Sequence, residues 1–186
     1  GFLDPLLQER IIQELKKEGV QIETSVKELK THSDETVIVS IGREVISLNL
    51  PQSGNIHVIG DASQGVALAH YAYAQARALA YKLAAKSFEI KHIPYVIFTH
   101  PELAGIGLNS TQAEQQYGKD NIETIVINWA SNAKARIVGA ERGLTKWVIL
   151  KETSQILGCH LMGDSATDLI SIVVPMINQN LTITDI

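Results

Sequence analysis

The sequence is short of cysteine, of unbalanced charge and of long apolar runs. Cys159 is the only cysteine in 186 residues, so an internal disulfide is excluded and we expect a reducing, cytoplasmic compartment. It lies in a strand-like apolar run, which favours a core position over a nucleophile. The most apolar stretch, residues 169–177, contains Pro175 and is too short to span a bilayer.

Charge and composition narrow the class of protein further. A net charge of −4 argues against nucleic acid as the main partner, because phosphate binding needs a concentrated basic face. The opening residues have no secretory signal pattern. A hydrophobic content of 45% with 19% charged residues is ordinary for a globular protein of one domain or two small ones.

An apolar run that ends in Gly-Asp is the most informative motif. Residues 56–61 read Ile-His-Val-Ile-Gly-Asp, and the alanine-rich residues 63–86 predict a helix after them. The run predicts a strand buried on both faces, and ligands bind at the carboxyl ends of such strands. Asp61 would then accept hydrogen bonds from sugar or polyol hydroxyls. The alternative is a strand, a turn and a helix cap without a ligand.

The residues before this motif predict a helix and two strands. Residues 1–19 form an amphipathic helix, with Asp4 as its cap and Pro5 at its first position. Residues 20–24 alternate as a half-buried strand does, whereas residues 36–41 are β-branched and predict a more buried strand. Gly42 follows that strand, where the residues alone predict a turn glycine.

The pattern changes at residues 91–94, where we place a domain boundary. Beyond it the sequence predicts an antiparallel sheet with helices on one face, an α+β arrangement. The predicted extended segments are 94–99, 104–108, 122–129, 135–138, 144–150 and 156–162.

Two helices accompany these strands. Thr111 and Glu114 form a capping-box pattern that opens a short helix ending at Gly118. Asp164 or Ser165 caps the second helix. Its apolar stripe is predicted at Leu169, Val173 and Ile177 and would serve core packing or pairing with a partner. The final residues, Thr182-x-x-Asp185, have the pattern of a helix start.

Several of these segments together resemble the pyridine nucleotide–disulfide oxidoreductases. Residues 56–61 and 68–70 are similar to the second flavin-binding motif of that family. Residues 93–108, 131–139 and 156–170 are similar to the signatures of its C-terminal interface domain. Within the family, Asn132, Ala133 and Ala135 favour the dihydrolipoyl dehydrogenase branch over the glutathione reductase branch.

The resemblance implies an α/β plus α+β fold. Remnants of Rossmann-like FAD- and NAD(P)-binding domains would precede an antiparallel interface domain. Residues 1–43 would be a partial NAD(P)-binding domain, residues 44–91 a partial FAD-binding segment, and residues 92–186 a dimerisation domain truncated at its end. The implied cofactors are FAD and NAD, with NADP as an alternative, and no metal is implied.

The resemblance also implies the site residues. Asp61 would hold the ribityl chain of FAD, and the backbone of Leu68, Ala69 and His70 would lie beside the flavin ring. Gly42 would lie near the nicotinamide nucleotide. No catalytic residue of the family falls within the sequence: the redox cysteine pair and the C-terminal His-Pro are both missing, as is the G-x-G-x-x-G loop. These residues alone would therefore not run the reaction.

Two explanations of these departures are open. Either the sequence joins segments of a longer chain end to end, at 28–35 and 44–54, or the protein is a relative with deletions there.

The resemblance also implies a function. The chain would be part of an enzyme that passes electrons between a dithiol/disulfide and NAD(P) through flavin. It would be a homodimer through residues 92–186, with a 2-oxoacid dehydrogenase complex as a further partner. The alternatives are a non-catalytic dimerisation module and a glutathione reductase-type member.

Overall fold

The computed structural model describes residues 3–28, 34, 36–42, 44, 55–63 and 65–186. These residues divide into two compact units. The first joins the N-terminal residues through Leu15 to Lys91–Ile186, and the second is Lys16–Ile90. None of the helices in the described residues is long and apolar enough to cross a membrane.

The described residues contain five α-helices and one five-stranded sheet. The helices are α1 (Pro5–Lys17), α2 (Ala69–Leu83), α3 (Ser110–Tyr117), α4 (Ala133–Ile137) and α5 (Ala166–Asn178). The strands are β1 (Tyr95–Ile97), β2 (Leu103–Gly107), β3 (Ile122–Asn128), β4 (Leu144–Leu150) and β5 (Gln155–Met162). The sheet is antiparallel with the order β1-β2-β5-β4-β3.

The sheet confirms the strands predicted beyond the boundary, with the exception of residues 135–138. The β4–β5 hairpin falls where it was predicted, and a register shift lies between Val148 and Ile149. Strand β5 is central and pairs with both β2 and β4, so its residues from Ile156 to Met162 are buried. A strand covered on both faces needs apolar residues in succession rather than alternation, which is the pattern of its sequence.

Helices cover both faces of this sheet, so the prediction of helices on one face was wrong. Successive residues of a strand point to opposite faces. Ala104 and Leu161 belong to the core cluster under α5, whereas the adjacent Leu103 and Met162 pack against Leu7 of α1. We call these the α5 face and the α1 face. Helix α3 adds a third cluster of Ala113, Ile122, Val148 and Leu157.

Two helix starts differ from the prediction, and a third agrees with it in position but not in its capping bond. The capping box of α3 is formed by Asn109 and Gln112, two residues before the predicted pair, although Gly118 ends the helix as predicted. Residues 133–137 form α4 instead of an extended segment, because the Asn132 side chain accepts a hydrogen bond from the Ala135 N–H at 3.1 Å and caps a helical turn. Ser165 occupies the N-cap position of α5, but its side chain makes no capping bond.

The buried stripe of α5 is also displaced from the prediction. Its buried residues are Ala166, Ile170, Val173 and Ile177. Leu169, predicted to belong to that stripe, is 39% exposed, and Ile172 is 57% exposed. Beyond α5, Thr182 and Asp185 form a capping box at the short 3₁₀ turn Ile183–Asp185, which confirms the predicted helix start.

The second unit contains α2 and a 3₁₀ turn at Gly60–Ala62. The strands predicted at 20–24, 36–41 and 56–59 were wrong: the described residues there are neither helix nor strand. Ile38 is 88% and Ile41 93% exposed. A strand is stable only when a neighbour pairs with its backbone groups, and the described residues 16–90 supply no such neighbour.

Some expectations are not decided by this unit. A Rossmann-like arrangement is not shown by the described residues, and the proposed domain ranges stay predictions. Arg43 and most of the short connections at 28–35 and 44–54 lie outside the described residues.

Candidate functional site

The predicted cofactor residues lie in the second unit, on a turn and at the start of a helix. Asp61 belongs to the Gly60–Ala62 turn and is exposed. Leu68 is the N-cap of α2, and Ala69 and His70 begin its first turn. Gly42 has a φ of +96°, and a side chain built there would meet no described atom within 4 Å. The structure therefore brings the Asp61 turn against α2.

A hydrogen-bonded network fixes the turn that carries Asp61. The Gly60 N–H donates to Gln75 Oε1 at 2.7 Å, and the Ser63 hydroxyl donates to the Gly60 carbonyl at 2.7 Å. Gln75 Nε2 donates to Ser63 Oγ at 3.0 Å. Gly60 has a φ of +69°, which a residue with a side chain rarely adopts. Sequence reasoning missed Gln75, whose signal is a polar residue on a helix otherwise rich in alanine.

This turn and the start of α2 offer complementary hydrogen-bonding groups. Asp61 presents a carboxylate that accepts hydrogen bonds from hydroxyl groups. The N-cap residue Leu68 makes no side-chain capping bond, and the backbone N–H groups of the first helical turn have no acceptor within the helix itself. A helix N-terminus favours an anion or another acceptor. The chemistry of the two groups fits a ligand with both hydroxyls and acceptor atoms.

A cavity of about 780 Å³ adjoins this hydrogen-bonded network and shares Gln75 with it. The rest of its lining is residues 56–59, Ala78, Leu79 and Lys82 of α2, and residues 86–90. Beside it, the Arg77 guanidinium lies 4.8 Å from the centre of the Phe88 ring. The cavity is not lined by Asp61 or by residues 68–70, so it does not coincide with the predicted site.

A buried ion pair in the first unit was not foreseen from the sequence. Lys146 Nζ lies 2.9 and 3.0 Å from the two carboxylate oxygens of Asp4 and donates to Ser110 Oγ at 2.9 Å. Asp4 is fully buried. Burial alone would raise the pKa of Asp4, but the Lys146 hydrogen bond, the electrostatic interaction with the His160 ring and the Ser110 N–H outweigh it and hold that pKa below its usual value. A lysine within an apolar strand was the available signal.

A histidine–tyrosine pair adjoins this ion pair. His160 Nε2 lies 3.1 Å from the Leu108 carbonyl, which can only accept, so Nε2 carries the proton. Nδ1 of the neutral ring then accepts from the Tyr95 hydroxyl at 3.1 Å. Burial lowers the pKa of His160, against the opposing effects of the Leu108 carbonyl and Asp4. Burial and the Asp4 charge raise the pKa of Tyr95. Both groups are therefore neutral and structural, with His160 buried and Tyr95 half-buried.

Cys159 faces α5 from strand β5 and is fully buried, as its sequence context predicted. Burial raises the pKa of its thiol far above its ordinary range. A thiol in this state is a poor nucleophile, because the thiolate is the reactive form. With one cysteine among the 186 residues, this chain holds no redox cysteine pair.

The α5 face carries an open apolar groove of about 510 Å³. It lies where α5 leaves part of β4 uncovered, with Trp129 and Trp147 on the sheet side and Leu169 and Ile172 on the helix side. The Trp129 indole N–H is bonded to Thr145 Oγ1 at 2.9 Å, which fixes the ring in the groove wall. We call this surface the α5 groove.

The fold and its signatures identify the family. Residues 93–186 match the family described as "Pyridine nucleotide-disulphide oxidoreductase, dimerisation domain". This segment contains the whole sheet and just over half of the 186 residues. The chain therefore belongs to the pyridine nucleotide-disulphide oxidoreductases, and this part of it is their dimerisation domain.

Curated relatives lead to the same family. The chain is 30% identical over 198 aligned positions to a dihydrolipoyl dehydrogenase of Bacillus subtilis (strain 168), covering 93% of this chain and 42% of that protein. It is 32% identical over 176 positions to the dihydrolipoyl dehydrogenase of Buchnera aphidicola subsp. Schizaphis graminum (strain Sg), covering 78% and 37%. The chain thus spans about two fifths of the length of these relatives.

A solved structure shares the fold. It is a Cu(II) complex of the HOCl-induced flavoprotein disulfide reductase RclA from Escherichia coli, with a TM-score of 0.64. The identity is 24%, and the match covers 70% of this chain and 30% of that one. At this identity the likeness concerns the fold alone.

Proposed function

We propose that this chain is part of an FAD-dependent, dihydrolipoyl dehydrogenase-like oxidoreductase. Such an enzyme passes electrons between a dithiol/disulfide and NAD(P) through flavin. The observation that carries the proposal is the dimerisation domain at residues 93–186, together with relatives named dihydrolipoyl dehydrogenase along most of the chain. NAD as the nicotinamide cofactor, a cytoplasmic location and association with a 2-oxoacid dehydrogenase complex stay predictions.

The second unit would hold one edge of the flavin cofactor. Asp61 would accept hydrogen bonds from ribityl hydroxyls, and the first turn of α2, from Leu68 to His70, would face the ring with its backbone. The exposed carboxylate and the contact of its turn with α2 support this assignment. Bound FAD would supply the redox chemistry, and the chain would position it. Gly42, with its positive φ, would lie near the nicotinamide nucleotide.

The first unit would form a homodimer through the α5 groove. The groove exposes large apolar side chains of α5 beside two tryptophans, within a segment that belongs to a dimerisation domain. A second copy of this chain would bury them, and apolar burial is the main driving force of such association. Val173 and Ile177 of the predicted stripe are buried in the monomer and cannot serve pairing. Leu169 and Ile172 are exposed and would serve it instead.

The test uses the polypeptide purified at its native length. We expect a mass of roughly 50 kDa, which is the size that three or four domains require. We also expect flavin absorption bands and reduction of NAD+ to NADH by dihydrolipoamide, which is oxidised to the lipoamide disulfide. A flavin-containing protein that instead reduces glutathione disulfide with NADPH would assign it to the glutathione reductase branch. A colourless polypeptide without either activity would refute the enzyme assignment.

A non-catalytic dimerisation module is the second candidate. It is favoured by one observation: every described strand belongs to the dimerisation domain, and the described residues 16–90 form no sheet. The module would be colourless and would still dimerise. Sedimentation and the absorption spectrum of one sample therefore distinguish the two candidates.

A further inference from the structure

Helix α1 lies outside the family segment, yet it covers one face of the sheet of that segment. Leu7 and Ile11 are buried in one cluster with Leu103, Leu144 and Met162. The outward side of α1, at residues 9, 10 and 13, is exposed, and Gln8 is exposed at the edge of the stripe. The helix is therefore held on the α1 face by one apolar stripe and by the polar contacts of Asp4 and Glu14.

The apolar stripe alone does not define where along its axis α1 lies. Its members are Leu3, Leu7, Ile11 and Leu15, one every four residues. A slide by one helical turn of about 5.4 Å would place each aliphatic side chain near the former position of the next. Because the side chains are similar in size, adjacent positions would bury similar apolar areas.

The Asp4 contacts break this degeneracy. A second ion pair of α1, Glu14 with Arg142 at 3.6 Å, does not, because the Arg142 side chain is 73% exposed and can follow the helix. In addition to Lys146, the Asp4 carboxylate accepts hydrogen bonds from the Ser110 N–H and hydroxyl, both at 3.2 Å, and from the Leu6 N–H at 3.0 Å. A slide by one turn would leave Asp4 and Lys146 without each other in a buried setting. An unpaired buried charge is strongly destabilising, whereas a buried pair is often no more stabilising than an apolar pair. The effect of the Asp4–Lys146 pair is therefore on which docking position α1 adopts, more than on overall stability.

We propose that the Asp4–Lys146 pair sets the register of α1 on the sheet. Helix α1 has two adjacent docking positions of similar apolar burial, and the ion pair selects the observed one. Asp4 is thus a positioning residue in addition to a helix cap. The inference concerns the first unit alone and does not depend on the proposed enzyme activity.

Distances between spin labels test the proposal on the full chain. One label is attached to Arg10→Cys on the exposed side of α1, and the second, in turn, to Thr124→Cys in β3 or Ser171→Cys in α5. All three positions are exposed, and the native Cys159 is buried, so labelling is selective. With two reference points, a slide along α1 changes at least one distance.

Two variants are expected to change the label-to-label distance in different ways. In Asp4→Asn/Lys146→Met the pair is neutral, and we expect a second distance population displaced by about 5.4 Å, one helical turn. In Asp4→Asn/Gln8→Asp the carboxylate is moved one turn along α1, and we expect a single population at the displaced distance. Glu9→Gln, on the exposed side of the same helix, is the matched control and should keep the original distance.

The outcomes decide the proposal in each case. An unchanged single distance in the Asp4→Asn/Lys146→Met protein would overturn it, because α1 would then be positioned without the pair. If that variant does not fold, Asp4→Asn/Gln8→Asp decides alone. A displaced distance supports the inference, and the original distance or an unfolded protein overturns it.

Discussion

The Tyr95 hydroxyl and Nδ1 of His160 lie 3.1 Å apart, although their strands are not neighbours. Strand β2 runs between them, and Gly105 is the residue that pairs with both Tyr95 and His160. A side chain at that position would occupy the space in which the two rings meet. The hydrogen bond across three strands therefore depends on a glycine in the middle strand.

The Gly105→Ala variant should accordingly be destabilised. The added methyl would lie 2.6 Å from both His160 Nδ1 and the Tyr95 hydroxyl oxygen, well inside contact distance. Overpacking of this kind costs about 1–3 kcal/mol, to which loss of the hydrogen bond is added. Urea unfolding measures the difference, with Thr124→Ala on the exposed side of β3 as the control. Equal unfolding midpoints for Gly105→Ala and the unsubstituted protein would contradict this view of the cluster.

His160 should make stability depend on pH. The ordinary histidine pKa is 6.5 and burial lowers it in the folded protein, so the unfolded chain binds more protons as the pH falls below that value. Folded stability should therefore decrease from pH 7 toward pH 5. The Asp4 carboxyl, also with a lowered pKa, adds a further loss only below its ordinary value of 3.8. The charged and polar groups near His160 are Asp4, Lys146 and Tyr95.

The His160→Gln variant isolates that contribution. Gln retains an N–H donor for the Leu108 carbonyl but does not titrate. We expect its melting temperature to change less between pH 7 and pH 5 than that of the unsubstituted protein. His100→Gln is the control, because that residue is exposed. If the two variants show the same pH slope, another group is responsible for the acid sensitivity.

The sheet could be predicted from the sequence because the patterns that indicate its strands are local. Strand β5 is an uninterrupted apolar run, and β4 is separated from it by a short polar turn, so both were located without knowledge of the fold. Helix α4 was missed because Ala135 and Ile137 suit an extended segment equally well. The helix is selected by the Asn132 cap, a hydrogen bond between residues three positions apart in the sequence.

The Asp4–Lys146 ion pair could not be predicted from the sequence, because its signal is not local. Asp4 and Lys146 are 142 positions apart, and Asp4 already has a sufficient local explanation as a helix cap. The strands expected at 36–41 and 56–59 failed for a related reason. Their apolar sequences suit strands, but a strand also needs a paired neighbour, which lies in other parts of a chain.

Dimerisation through the α5 groove predicts the effect of a charge on the exposed side of α5. Ile172 is 57% exposed, so Ile172→Glu should leave the folded monomer intact. Burying the new carboxylate in an interface costs several kcal/mol, which should weaken the dimer by roughly a hundred-fold or more. Sedimentation velocity over a concentration series measures the change. Ser171→Glu adds the same charge to the adjacent exposed position, outside the groove lining, and should dimerise normally. Equal weakening by both variants would place the interface elsewhere.

The proposed flavin contact of Asp61 predicts a loss of cofactor affinity in Asp61→Asn. The amide keeps the size of the side chain and removes its charge, so hydroxyl groups lose a charge-assisted acceptor worth about 1.5–3 kcal/mol. In the native-length protein we expect FAD to dissociate roughly ten- to a hundred-fold more readily, as measured by recovery of flavin fluorescence on dilution. Asp120→Asn, an exposed aspartate of the dimerisation domain, should retain FAD normally. Unchanged retention in Asp61→Asn would remove this residue from the cofactor site while leaving the family membership intact, because that membership is carried by residues 93–186.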